Sequence, residues 1–168
     1  GLSERLNITN EGGCQGRISF LKNIIGLWLV QESRRQWIRE GKEYSFGHLE
    51  QMAADAKPFK ALIDPDAPEF VPAGNIPERI RGYCRESGQR VPENEAELVR
   101  CIDESLAFKY RMTLEEIKMC TGREYPAIHM VGGGTQSGLL CQMTANACHC
   151  PVIAGPVEAT VLGNAALQ

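Results

Sequence analysis

Apolar positions recur at helical steps through residues 23–41. Ile24, Leu27, Trp28 and Trp37 keep the three- and four-residue spacing, Gln31 falls on the same steps, and Gly41 stops the run. The pattern predicts a helix from Asn23 to Gly41. A second helix fits 46–56, with Ser45 placed to cap its first turn. Upstream, short β-type pieces at Leu6–Thr9 and Arg17–Phe20 flank a glycine-rich stretch, which predicts a hairpin or strand pair at a sheet edge. Four prolines from Pro65 to Pro77 exclude a regular helix there and predict a long ordered loop packed by Phe70 and Val71. Pro77 suits the first turn of a helix over 76–87. Another helix is predicted from about Glu95 to Met112, with Leu98, Cys101, Ile102, Leu106 and Phe108 around one face. Thr113-Leu-Glu-Glu has the form of a capping box and predicts a short new helix through Cys120.

After Gly122 the pattern changes. Ala127–Val131 predicts a buried strand, Gly132–Gly134 a turn, and Gly138–Cys148 a helix. Pro151–Ala154 predicts a second strand, and Glu158–Leu167 a last helix after the Gly155-Pro156 turn. Strand, helix, strand is an α/β unit, whose two strands should be parallel with a right-handed connection.

Composition narrows the class. The chain has 168 residues, enough for one domain with a core that needs no disulfide or metal. It is 43% hydrophobic and 23% charged, with a net charge of -3. That balance offers no footprint for nucleic acid or a membrane surface. No apolar run reaches the roughly 18 residues of a membrane span, and the start lacks the pattern of a signal peptide. Seven cysteines without paired CxxC units read as buried thiols in a reducing compartment, the cytoplasm. Both ends read as cut from a longer protein, because the last residues fall inside a predicted helix.

Several residues are candidates for chemistry. The triple glycine has two readings. It is a tight turn needing positive φ, or a place where bare backbone at the carboxyl end of a strand meets a ligand beside a helix N-terminus. It is not a P-loop, since no GK[ST] follows. Cys141, Cys148, His149 and Cys150 straddle a helix end and have no second ligand pair, so zinc is disfavoured against buried thiols. Cys84 and Cys101 lie on successive helices and could approach each other. His48 and His129 stand alone, with no Ser/His/Asp spacing around them. Asp64 and Asp66 fit turn chemistry better than a metal pair. Asn23 and Gln31 are polar residues of an apolar helix pattern, ~12 Å apart along it. They reach two parts of an elongated ligand, or they cap and face solvent.

The segments HMVGGGTQSGLLCQMTANAC and PVIAGPVEATVLGNAALQ closely resemble the carboxyl-terminal half of the FGGY carbohydrate kinases. The resemblance continues in order through NITNEGGCQGRISFLKNIIGLWLVQE, DPDAPEFVPAGNIPERI and VRCIDESLAFKYR, and covers nearly the whole chain. It implies an actin-like, ribonuclease-H-like α/β fold with inserted helices. Residues 1–168 would then be the second of two domains flanking a cleft, with the amino-terminal domain as partner. It implies ATP and Mg²⁺ as ligands and a ketose, L-rhamnulose, as the phosphorylated substrate. The family's ATP-binding glycine maps onto Gly133, within Gly132 to Gly134. Its adenine-side neighbour maps onto Gln136, a nucleotide-contacting glutamine onto Gln31, and a sugar-contacting asparagine onto Asn23. The family's phosphate loop and aspartate base belong to the other domain. None of Asp55, Asp64, Asp66 or Asp103 falls in that motif, so no catalytic residue and no metal ligand is assigned to this chain. Alone it should be inactive, and apolar cleft surface could make it self-associate. Two alternatives stay open: a non-catalytic actin-like nucleotide-binding module, and a kinase for another ketose such as a pentulose or fuculose.

Overall fold

The computed structural model describes residues 1–12 and 16–158. A single helical turn, α1 (Leu2–Arg5), leads into an antiparallel hairpin of β1 (Thr9–Gly12) and β2 (Ile18–Leu21). The expected hairpin is present, but its first strand begins at Thr9. Leu6 closes the helical turn and Asn7 takes φ 53°, so the chain is extended only beyond them.

Helix α2 spans Trp28–Arg39, five residues shorter at its start than the spacing predicts. Two local features stop it. Gly26 adopts φ +63°, and the Ile25 N–H donates to Asp66 Oδ1 at 2.9 Å instead of joining a helical ladder. Asn23 therefore lies exposed on an irregular segment, and the reading that places it with Gln31 on one helix edge is corrected. Helix α3 (Phe46–Asp55) starts where expected, with Ser45 Oγ accepting from the His48 N–H at 3.1 Å.

The proline-rich loop is ordered around a 3-10 turn at Pro68–Phe70. Phe70 is fully buried, but Val71 points to solvent, so only the first of the two expected anchors holds the loop. Helix α4 (Ile76–Glu86) carries Pro77 in its first turn and is capped by Asn75. Helix α5 runs unbroken from Glu95 to Thr121. The capping box at Thr113 does not form. An N-cap needs extended backbone, and no glycine or proline interrupts the helix before it. The Thr113 hydroxyl is instead buried without a hydrogen-bond partner. The effective signals are Asn94, whose Oδ1 accepts from the Glu97 N–H, and Gly122, which ends α5 at φ 65°.

The core lies where α5 packs against α3 and α6 (Gly138–Cys148) and where α2 meets α4. Leu29, Trp37, Leu49, Ile80, Leu98, Ile102, Leu106 and Leu140 are fully or almost fully buried there. Burying a side chain of this kind favours folding by roughly 1.5–3 kcal/mol. Phe108, expected on that face, is partly exposed and pairs with Phe59 at the surface. Strands β3 (Ile128–Met130) and β4 (Val152–Ala154) are parallel, in the register Ile128↔Val152, with α6 between them in sequence. The described residues thus form a mixed α/β domain with two small sheets. The expected helix over 158–167 lies outside the described residues from residue 159 onward.

Candidate nucleotide-binding cleft

The three glycines after β3 have three different reasons to be glycine. Gly132 has φ +79°, a left-handed conformation that costs other residues energy, and it turns the chain out of the strand. Gly133 has ordinary backbone, yet a Cβ there would meet no atom within 4 Å, so open space lies above its backbone. A Cβ on Gly134 would come within 3.4 Å of Met130 Sδ and 4.0 Å of Leu27 Cδ1, which makes it the point of close packing. Gly132–Gln136 forms one 3-10 turn, tied by the Thr135 hydroxyl donating to the Gly132 carbonyl at 2.7 Å. Ser137 then caps α6 by accepting from the Leu140 N–H at 3.2 Å.

This turn is one wall of a cleft of about 550 Å³. The start of α2 supplies the facing wall, with Leu27, Trp28 and Gln31. The start of α3 supplies Phe46 and Glu50, and α5 supplies the floor with Val99 and Asp103. Gln31, Gly133, Gly134 and Gln136, more than a hundred residues apart at the extremes, are brought to this one cavity. Gly132 shapes the turn without lining the cleft, and Asn23 does not line it.

Two acidic residues that sequence reasoning did not select complete the site. Glu50 Oε1 accepts from the Leu139 N–H at 2.7 Å and from the Ser137 hydroxyl at 3.5 Å, so α3 supplies a second, charged cap to α6. Asp103 is 3% exposed. Burial, and then the nearby Glu50 charge, push its carboxyl up to about 7. Burial also raises the Tyr110 hydroxyl and the Cys141 thiol; Asp103 adds to the first and Glu50 to the second. A signal for Asp103 was available, because it shares helical spacing with Val99 and Leu106, on an otherwise apolar face.

The other candidates fall elsewhere. Asp64 Oδ1 accepts from the Asp66 N–H at 3.1 Å, and Lys109 bridges both carboxylates, which is the turn chemistry expected of them. Cys84 and Cys101 approach each other as free thiols, and the proximity of Cys84, with burial, holds Cys101 protonated. His48 packs edge-on to Tyr44, and His149 ends α6 in a left-handed conformation. Among the described residues no group of three or more His, Cys, Asp or Glu is arranged to hold a metal ion. Among them, too, no helix is long and apolar enough to cross a membrane.

Comparison with known proteins identifies the family. Residues 5–168 match the FGGY family of carbohydrate kinases, C-terminal domain. The chain is 45% identical over 166 residues to a rhamnulokinase of Bacteroides thetaiotaomicron, covering 99% of this chain and 33% of that protein. It is 44% identical over 165 residues to a rhamnulokinase of Enterobacter sp. strain 638, covering 96% and 32%. It is 43% identical over 164 residues to a rhamnulokinase of Enterococcus faecalis, covering 96% and 33%. The chain therefore spans about a third of the length of the curated relatives it matches.

Proposed function

Because the chain belongs to the FGGY family of carbohydrate kinases, we propose that it is the nucleotide-binding side of an ATP-dependent sugar kinase with an actin-like, ribonuclease-H-like fold. The whole protein would convert L-rhamnulose to L-rhamnulose 1-phosphate. The observation that carries the nucleotide reading is the convergence of Gln31, Gly133, Gly134 and Gln136 on one cleft, with open space above the Gly133 backbone. Apolar walls at Leu27, Trp28 and Phe46 suit a flat base, and exposed amide groups at Gln31 and Gln136 suit the polar parts of a nucleotide. The choice of sugar rests on the relatives, which are rhamnulokinases. Asn23, outside the nucleotide cleft, is the residue of this chain assigned to the sugar.

In the reaction a sugar hydroxyl attacks the γ-phosphorus of ATP, the bond to the bridging oxygen breaks, and ADP leaves. The hydroxyl proton passes to a carboxylate base. We assign that base to an amino-terminal domain, together with the loop that holds the phosphates. Mg²⁺ would offset charge on the phosphates, held by substrate phosphates, one or two carboxylates and water. Among the described residues of this chain no group of three or more His, Cys, Asp or Glu is arranged to hold it. A reaction that consumes ATP and yields a sugar phosphate fits the cytoplasm, where the cysteine usage also points.

The test is Gly133→Val in the whole protein. The side chain occupies space that is open in the structure, so the fold should persist while ATP binding is lost. Normal ATP binding by this variant would refute the site. A coupled assay across L-rhamnulose, L-fuculose and pentuloses tests the sugar, and turnover on a pentulose rather than L-rhamnulose would refute that part. The 168-residue chain alone should turn over no ATP with any of them.

A further inference from the structure

Six polar or charged side chains are buried in the described part of the chain: Glu32, Ser33, Asp103, Glu104, Ser105 and Thr144. Both other acids are paired. Glu32 takes Arg35, and Glu104 takes Arg100 at 2.6 Å and the Phe59 N–H at 2.9 Å. Ser105 and Thr144 each donate to a carbonyl one helical turn back. Ser33 lacks a partner but does not line the cleft. Asp103 is different. It makes no hydrogen bond to any described residue, and it forms part of the cleft floor. A buried carboxyl without a partner is costly, so its position asks for a ligand group that both donates and accepts.

Electrostatics says which part of a nucleotide that is. The Glu50 charge lies beside Asp103 in this cleft, and a triphosphate placed against the floor would meet charge of its own sign. The phosphates therefore belong at the open backbone of Gly133, and the uncharged base at the floor between apolar walls.

The groups that face Asp103 decide its protonation. Glu50 approaches from α3, with Arg100, Glu104 and Tyr110 along α5 itself, and the Cys141 thiol of α6 lies near Glu50 and Tyr110. Only Arg100 favours the carboxylate, and it is already bonded to Glu104. Burial and the Glu50 charge favour the neutral acid. A neutral carboxyl offers one O–H donor beside one C=O acceptor. Adenine presents the matching pair, its N6–H donor beside the N7 acceptor or the N1 acceptor. Guanine presents only acceptors on its O6/N7 edge, and its N1–H and N2–H donors call for an ionised carboxylate.

We propose that Asp103 reads the purine base of the nucleotide in this cleft and makes the site select adenine over guanine. The inference rests on the nucleotide reading given above. It is tested by titrating the whole protein with ATP, GTP and inorganic triphosphate, with binding followed by calorimetry and by ¹H–¹⁵N shifts of Gly133 and Gln136. Wild type should prefer ATP over GTP about tenfold or more at pH 6, the discrimination of one bidentate base contact. The preference should shrink towards pH 8.5 as the carboxyl ionises, and the ATP-to-GTP ratio cancels the titration of the phosphates themselves. Asp103→Asn keeps a donor beside an acceptor, so it should retain the preference and lose its pH dependence. Asp103→Leu should abolish the preference and leave inorganic triphosphate binding unchanged. If Asp103→Leu keeps the wild-type ratio while ATP still shifts Gly133 and Gln136, the inference is wrong and the nucleotide site stands. If ATP shifts neither residue in wild type, both fall together.

Discussion

Replacing Asp103 by asparagine should make the protein more stable at pH 8 and leave it nearly unchanged at pH 4. Asparagine has almost the shape of the neutral acid and cannot ionise. In the wild type the carboxyl is raised by burial and by Glu50 from an ordinary value of 3.8 to about 7. The raised value sets the sign. Between pH 4 and pH 7 the native state keeps a proton that the unfolded chain has released, so wild-type stability falls as pH rises. Each pH unit in that window costs about 1.4 kcal/mol. Over the whole window the loss accumulates to about 4 kcal/mol, complete above pH 7. Asp103 is almost completely buried, so solvent screening takes little from that figure. The assay is urea unfolding of wild type and variant at half-unit steps from pH 4 to 8.5. Taking the difference between the two removes the contribution of every other titrating group. The difference should be near zero at pH 4, grow through pH 5 and 6, and level off above 7. A difference that stays flat across the range would refute the argument, because Asp103 would then titrate alike in both states.

Three further outcomes follow from the same geometry. Gly132→Ala should cost about 1–2 kcal/mol by forcing a left-handed conformation on a Cβ, while Gly133→Ala should be close to neutral; equal effects in urea unfolding would contradict the separate roles of the two glycines. Glu50→Gln removes a charge beside Asp103 and should lower the Asp103 titration midpoint, read from its carboxyl ¹³C shift, whereas Glu50→Ala should also cost about 1–3 kcal/mol by stripping the acceptor from the Leu139 N–H. Asp66→Ala frees the Ile25 N–H and one arm of Lys109, so hydrogen exchange at Ile25 should accelerate while the distant Ile102 amide keeps its protection.

Local signals carried most of the architecture. Ser45 and Pro77 sit where their chemistry places them in a first helical turn, and the change from helical to strand pattern after Gly122 marks the α/β unit. The misreadings share one cause: a local pattern was met by a distant partner or by a continuing helix. Asn23 to Leu27 carry helical spacing, yet Asp66, 41 residues beyond Ile25, takes the amide that a helix would use. Thr113-Leu-Glu-Glu is a capping box only if the chain before it is not already helical. Phe108 and Leu106 look alike in sequence, and only the position of the neighbouring helices puts one outside and the other inside.

The site shows the same limit from the other direction. Gly133 and Gln136 are neighbours in sequence and could be singled out together, and Gln31 joined them only through the resemblance to a known family. Asp103 and Glu50 belong to no shared motif, and each alone reads as an ordinary helical acid. They become a site only when α3 and α5 pack and close two carboxyls into one apolar cleft. One of the two then finds a structural task, capping α6, and the other does not. Burying an unpaired carboxyl costs stability that an apolar side chain at the Asp103 position would not. An unpartnered acid kept at the floor of a cleft is therefore evidence about what enters it, and the ratio of ATP to GTP bound by Asp103→Leu is where that evidence can fail.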